Sequence, residues 1–197
     1  MVYSTHKSSR RITNGCSSFA SLTRRAFGTR LNQALWCSYK TMKIAHINPD
    51  NYLETNEGRV WTPERSKAAW ESAYLDFENI LKRSSGIADV YIVFGVQGSG
   101  KTTWIRNHEP TKPSIYFDAA LPAKKHRIQA ISIAKKYAKQ IHGVWIKVPL
   151  VIAKSQNMAR SQDKQVSESA IESVFKQLEA PEQSEGFDHQ IILSTHL

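Results

Sequence analysis

Two kinds of hydrophobic segment alternate along the chain. Val90-Tyr91-Ile92-Val93-Phe94, Ser114-Ile115-Tyr116-Phe117-Asp118, Val144-Trp145-Ile146-Lys147-Val148 and Gln190-Ile191-Ile192-Leu193 are short runs rich in β-branched and aromatic residues. The first run lacks polar alternation, and the first two read as strands buried on both faces, as in a parallel sheet. Before and between the runs the apolar positions recur at helical spacing. Thr62-Pro63-Glu64 supplies a capping hydroxyl, a proline at the first helical position and an acid in the first turn. Ala69, Trp70, Ala73, Tyr74, Phe77, Ile80 and Leu81 follow on one face, with Lys82-Arg83 and then Gly86 marking the end. Trp70 and Tyr74 read as packing residues; stacking on a base is the alternative.

Further helices are expected from Lys101 to about His108, from Leu121-Pro122 onward, over 150–158, and from Ser167 or Ser169 to Leu178. In the second of these Ile128, Ile131, Ile133, Ala134 and Tyr137 are the apolar positions, and Lys124, Lys125, Lys135, Lys136 and Lys139 the exposed ones. In the last, Ile171, Val174, Phe175 and Leu178 share a face. Residues 50–62 read as an irregular lead-in. Strand–helix alternation implies βαβ units, hence an α/β protein with a small, mostly parallel sheet. Ligands in such sheets sit beyond the carboxyl ends of the strands, where Asp118 and the residues after Phe94 fall.

Those residues carry the clearest chemistry. Gly95-Val96-Gln97-Gly98-Ser99-Gly100-Lys101-Thr102 fits G-x-x-x-x-G-K-[ST], the Walker A pattern, with Thr103 next. Glycines let the backbone wrap around an anion where a Cβ would obstruct it. Successive N–H groups then cradle a phosphate, and the helix beginning near Lys101 adds its positive end. Lys101 supplies a cation for the β- and γ-phosphates and Thr102 a hydroxyl for Mg²⁺. The expected ligand is therefore ATP with Mg²⁺. Asp118, at the end of the next strand, is expected to hold a Mg²⁺-bound water or to accept a proton from a substrate hydroxyl. The bland alternative makes it a helix cap or a partner of Arg127. Arg160, in a polar stretch after a short helix, stands where a lid would close over the γ-phosphate; as a surface arginine it would do nothing.

Composition changes this picture at the N-terminus only. The net charge is +10, but residues 1–49 carry Lys7, Arg10, Arg11, Arg24, Arg25, Arg30, Lys40 and Lys43 and no acid, so the remainder is nearly balanced. The overall charge is then no argument that the domain binds nucleic acid. Residues 1–41, rich in Ser, Thr and Arg, read as a disordered basic extension. They fit a mitochondrial or plastid transit peptide, a basic arm touching nucleic acid, or upstream sequence ahead of a natural start at Met42; the abrupt change at Met42-Lys43-Ile44 favours the last. A cytoplasmic location is expected, or a mitochondrial one if the segment is a transit peptide. Cys16 and Cys37 both lie in it, so the rest needs no disulfide or cysteine-held metal. The seven histidines have no metal-ligand spacing. No apolar run approaches the roughly 20 residues that span a bilayer, so no membrane partner is expected. Residues 42–88 read as a lead-in with an amphipathic helix, and 89–197 as the domain proper.

From about Val90 to Leu193 the chain resembles the polynucleotide-kinase-like P-loop kinases, a group of P-loop nucleoside triphosphate hydrolases that includes relatives often labelled AAA-type ATPases. The resemblance rests on Gly98-Ser99-Gly100-Lys101-Thr102-Thr103-Trp104, on Phe117-Asp118-Ala119-Ala120-Leu121-Pro122 with Arg127, and on Asn157-Met158-Ala159-Arg160. Val166 and the stretch from Glu179-Ala180-Pro181 to Glu185-Gly186-Phe187-Asp188 extend it. It implies a three-layer P-loop kinase fold, with Arg160 as a lid residue on the donor phosphate. Fuller members have a further strand, ending in an acid taken as the general base, before the segment matching Asp118. Here only about a dozen residues fill that interval, which leaves Asp118 to serve, and Gln156 stands where a second lid cation is common.

Two functions are expected from different classes. One is a kinase transferring the γ-phosphate of ATP to a hydroxyl, on a nucleic-acid 5′ end or a small molecule. The other is an ATP-binding switch or slow ATPase without transfer.

Overall fold

The computed structural model describes residues 45–194. Expectations for residues 1–41 lie outside them. Five parallel strands form the central sheet: β1 (Ala45–Ile47), β4 (Asp89–Phe94), β5 (Ser114–Asp118), β6 (Gln140–Lys147) and β7 (His189–Ser194), in the order β1-β5-β4-β6-β7. The short strands β2 (Glu54–Thr55) and β3 (Gly58–Arg59) make a separate antiparallel hairpin. Helices α1 (Pro63–Arg83), α2 (Lys101–Asn107), α3 (Lys124–Tyr137), α4 (Leu150–Met158) and α5 (Glu168–Lys176) fill the intervals.

Strand β4 is central because both its faces are apolar. Val90, Ile92 and Phe94 meet Ala73, Phe77 and Leu81 of α1 and Ala130, Ile131 and Ala134 of α3. Val93, pointing the other way, joins Ile105 of α2, Ala153 of α4 and Ile171 of α5. Helices thus cover both faces of an all-parallel sheet, as continuous apolar strands require. Each such fully buried aliphatic or aromatic side chain is worth about 1.5–3 kcal/mol. Among the described residues no helix is long and apolar enough to cross a membrane.

Most expected elements are present, with their boundaries moved. Thr62 caps α1 by accepting a hydrogen bond from the Arg65 N–H at 3.2 Å. Ser167, rather than Ser169, caps α5. Strand β6 begins four residues before Val144. Trp70 and Tyr74 pack: Tyr74 stacks on Phe117 at 5.3 Å, and Phe77 and Trp70 approach the same ring at 5.0 and 6.3 Å. That aromatic group steadies the end of β5 immediately before Asp118.

Three expectations change. Residues 50–62 contain a 3-10 turn (Pro49–Leu53) and the β2–β3 hairpin, so the lead-in is ordered. Its boundary at 88/89 is no structural boundary, since β1 pairs with β5 through Ala45–Ile115 and Ile47–Phe117 and extends the central sheet. Here β1 fills the sheet position beyond β5, and among the described residues no strand lies between α2 and β5. In α3, Ile128 is 63 % exposed while Arg127 is fully buried. Positions 127, 130, 131 and 134 form the inward stripe, and Ile128 falls about 100° away from Arg127.

Arg127 is not a partner of Asp118. It holds both carboxylate oxygens of Glu185, at 2.7 and 2.9 Å, donates to the carbonyls of Leu121, Pro122, Glu179 and Ala180, and lies 4.6 Å over the Phe94 ring. The bidentate pair is the geometry for which a guanidinium is suited. It fastens the segment before β7 onto α3.

Candidate functional site

The strands are parallel, so the ends of β1, β4, β5 and β6 converge on one edge, and the glycine loop leaves β4 there. Gly95 has φ +148°, and a Cβ on it would lie 2.5 Å from the Ile146 carbonyl oxygen of β6. Gly98 has φ +78°, and a Cβ on it would collide with the Ala153 carbonyl of α4. Both positions need glycine for close approach as well as for backbone conformation. The loop is thus seated between β6 and α4, and α2 begins directly at Lys101.

Lys101 turns its ammonium back onto the loop, donating to the Gly95 and Val96 carbonyls at 3.0 Å each. Burial holds its pKa below the ordinary value, against the opposing pull of the Asp118 and Asp50 charges. Gln97 and Ser99 carry buried side-chain oxygens with no partner among the described residues. Thr102 and Thr103 are exposed at the mouth.

Asp118 gathers the rest. Its Oδ2 accepts from Thr102 Oγ1 at 2.8 Å and Asn48 Nδ2 at 3.3 Å, and lies 3.1 Å from His46 Nε2. Its Oδ1 is buried and unpartnered among the described residues. Burial alone would raise this carboxyl; the hydrogen bond to His46, the Lys101 charge and the Thr102 hydroxyl outweigh it and hold the group below the usual range. Asp118 is therefore a carboxylate, and it caps no helix.

A cavity of about 630 Å³ opens in front of these groups. Lys101, Thr102, Asp118 and Arg160 all line it, as do Gln156 and Lys164. Arg160 follows α4 in a segment held by Asn157, whose side chain donates to the Val166 carbonyl at 2.8 Å and accepts from the Val166 N–H at 3.0 Å. Gln165 adds a bond to the Arg160 carbonyl at 2.8 Å. The Arg160 side chain itself has no hydrogen-bond or ion-pair partner among the described residues.

The other wall comes from the N-terminal segment: His46, Asn48, Asp50, Asn51, Glu54, Arg59, Trp61, Ser66 and Trp70. Of these only Trp70 had a site reading in the sequence, as the alternative to packing; the others were not site candidates. Asn48-Pro49-Asp50 is a local turn signal, and the Asn48 side chain accepts from the Asp50 N–H at 2.9 Å. Nothing local says that this turn faces Asp118. Arg59 bonds Asp50 and Glu54 at 2.9 Å each, and Lys164 reaches Glu54 at 3.6 Å. The Arg59 N–H donates to Asp163 at 3.4 Å, so the hairpin and the segment after Arg160 touch.

Among the described residues no cluster of three His, Cys, Asp or Glu side chains could hold a metal ion alone. Thr102 and Asp118 offer two adjacent oxygens, and the unpartnered Asp118 Oδ1 has capacity for a further contact. No family model matches the chain, and a search of curated proteins finds no match to it.

Proposed function

We propose that the chain is an ATP-dependent kinase of P-loop fold, transferring the γ-phosphate to a hydroxyl in the cavity. One observation carries the reading: the glycine loop, Lys101, Thr102, Asp118 and Arg160, scattered over 66 residues of sequence, line one cavity at the carboxyl edge of the sheet. The loop backbone and the start of α2 favour an anion. Lys101 would exchange its loop carbonyls for phosphate oxygens. Thr102 and Asp118 would hold Mg²⁺, which when bound neutralises phosphate charge. Arg160, with no side-chain partner among the described residues, would meet charge that develops on the transferring group. Asp118 orients the acceptor hydroxyl and takes its proton.

A second reading, an ATP-binding switch or slow ATPase, has one observation in its favour. The Asp118 oxygen beside Thr102 is already engaged by Asn48 and His46 as well, which leaves Oδ1 alone for catalysis. Incubation with γ-labelled ATP separates the two. Label appearing on a hydroxyl compound supports transfer, label released only as inorganic phosphate supports the second reading, and failure to bind ATP removes both.

A further inference from the structure

The N-terminal wall has a chemical character of its own. Trp61 is 65 % exposed although it lines the cavity, so a flat apolar face is presented to whatever enters. Around it stand groups suited to hydroxyls: Asn48, Asn51 and Ser66, with the carboxylates Asp50 and Glu54. The charge of this wall is negative or spent. Arg59 is bonded by Asp50 and Glu54 together, and Lys164 lies beside Glu54. The lysines of α3 line none of the cavity. A polynucleotide end needs free cations along its phosphates, and binding weakens steeply as salt displaces them. Among the described residues this wall offers no Lys or Arg without a carboxylate partner.

We infer that the acceptor is an uncharged, hydroxyl-rich ring compound, a sugar or a nucleoside, stacked on Trp61 and hydrogen-bonded by the segment from Asn48 to Ser66. The inference rests on the kinase reading. In the step it implies, the acceptor hydroxyl oxygen bonds to the γ-phosphorus and the bond to the β,γ-bridging oxygen breaks. ADP leaves, and the hydroxyl proton passes through the Asp118 carboxylate to water. Two sources share this chemistry: a sugar stacks through its C–H face, a nucleoside through its base.

The test uses the full chain. Calorimetric titration with Mg·ATP comes first; absence of binding defeats the kinase reading itself. With binding present, γ-labelled ATP is offered with neutral monosaccharides, nucleosides, sugar phosphates and a 5′-hydroxyl oligonucleotide in separate arms. Label should enter one of the two neutral arms, which also tells sugar from nucleoside. The KM for that acceptor should change less than about twofold between low and high salt, unlike a polyanion's. Trp61→Ala should raise the KM about tenfold with ATP affinity unchanged, and Trp61→Phe should restore most of the loss. Preferential labelling of the oligonucleotide or the sugar phosphates overturns the inference. So does ATP binding with no labelling of any neutral acceptor, or a KM indifferent to Trp61→Ala.

Discussion

The two walls of the cavity are built in opposite ways. The wall proposed to hold the donor is local: Gly95 to Thr103 is one unbroken stretch, and its shape follows from the glycines and from α2 starting at Lys101. The wall proposed to hold the acceptor is assembled at a distance, from β1, the 3-10 turn, the hairpin and the start of α1, and it meets Asp118 across 72 residues through His46. A phosphate cradle needs backbone geometry that a short motif can encode. A surface for a particular acceptor needs side chains that topology alone brings together. The two should therefore respond differently to mutation, the donor wall in nucleotide affinity and loop stability, the acceptor wall in acceptor recognition.

The largest effect is expected where the walls meet. Arg160→Ala should lower kcat about 10³-fold, by analogy with arginine fingers, while ATP affinity stays within a few-fold. Stopped or steady-state transfer kinetics beside a calorimetric Kd decide it; an equal loss in both would make Arg160 a ground-state binder. Arg127 is the contrasting arginine. Arg127→Met strands Glu185 and four carbonyls, and should cost about 3 kcal/mol or more of stability, a melting shift on the order of ten degrees. Its surviving folded fraction should bind ATP as before. A variant that melts normally would show that the buried pair is dispensable.

Gly98→Ala should cost about 2 kcal/mol, because alanine at φ +78° is strained and its methyl meets the Ala153 carbonyl. Urea unfolding measures it, and a neutral result would mean that the loop has room to shift. The smallest effect concerns pH. The folded-state Asp118 carboxyl titrates below its ordinary value of 3.8, so the unfolded chain binds that proton more readily. Its stabilisation is complete above the ordinary value and is lost as pH falls through the folded value. The stability gap between wild type and Asp118→Asn should therefore shrink on acidification; a gap constant with pH would contradict the assignment of Asp118 as a carboxylate held by its neighbours.

What could be read along the sequence follows the same division. Strands β4 and β5 and helix α1 were legible because each buries its own contiguous pattern. Strand β1 was not: Ala45–Ile47 is too short to carry a period, and what makes it a strand is the free edge of β5, 70 residues on in the register. It lies beyond β5 and brings His46, where the short interval after α2 suggested only a missing strand and a missing base. Arg127, named in the sequence only as an alternative partner of Asp118, has a burial that was hidden for a related reason. Its position matches the buried stripe of α3, but a charge there is tolerable only because Glu185 arrives from 58 residues later. Ile128, counted among the apolar positions of the helix, lies off this stripe and is exposed. Thr102 and Asp118 were named from motif and strand end, and their contact at 2.8 Å joins the two.

The most direct test of the central claim is the affinity of the Lys101→Ala chain for Mg·ATP. Lys101 is enclosed by the loop whose backbone is held to cradle the phosphates, and its ammonium is released only by giving up the Gly95 and Val96 carbonyls. Calorimetric titration of wild type and variant should show ATP binding weakened at least tenfold, about 1.4 kcal/mol, with the fold intact by melting. Equal affinities in the two chains would mean that the glycine loop is not the phosphate site, and the proposed kinase would lose its donor wall.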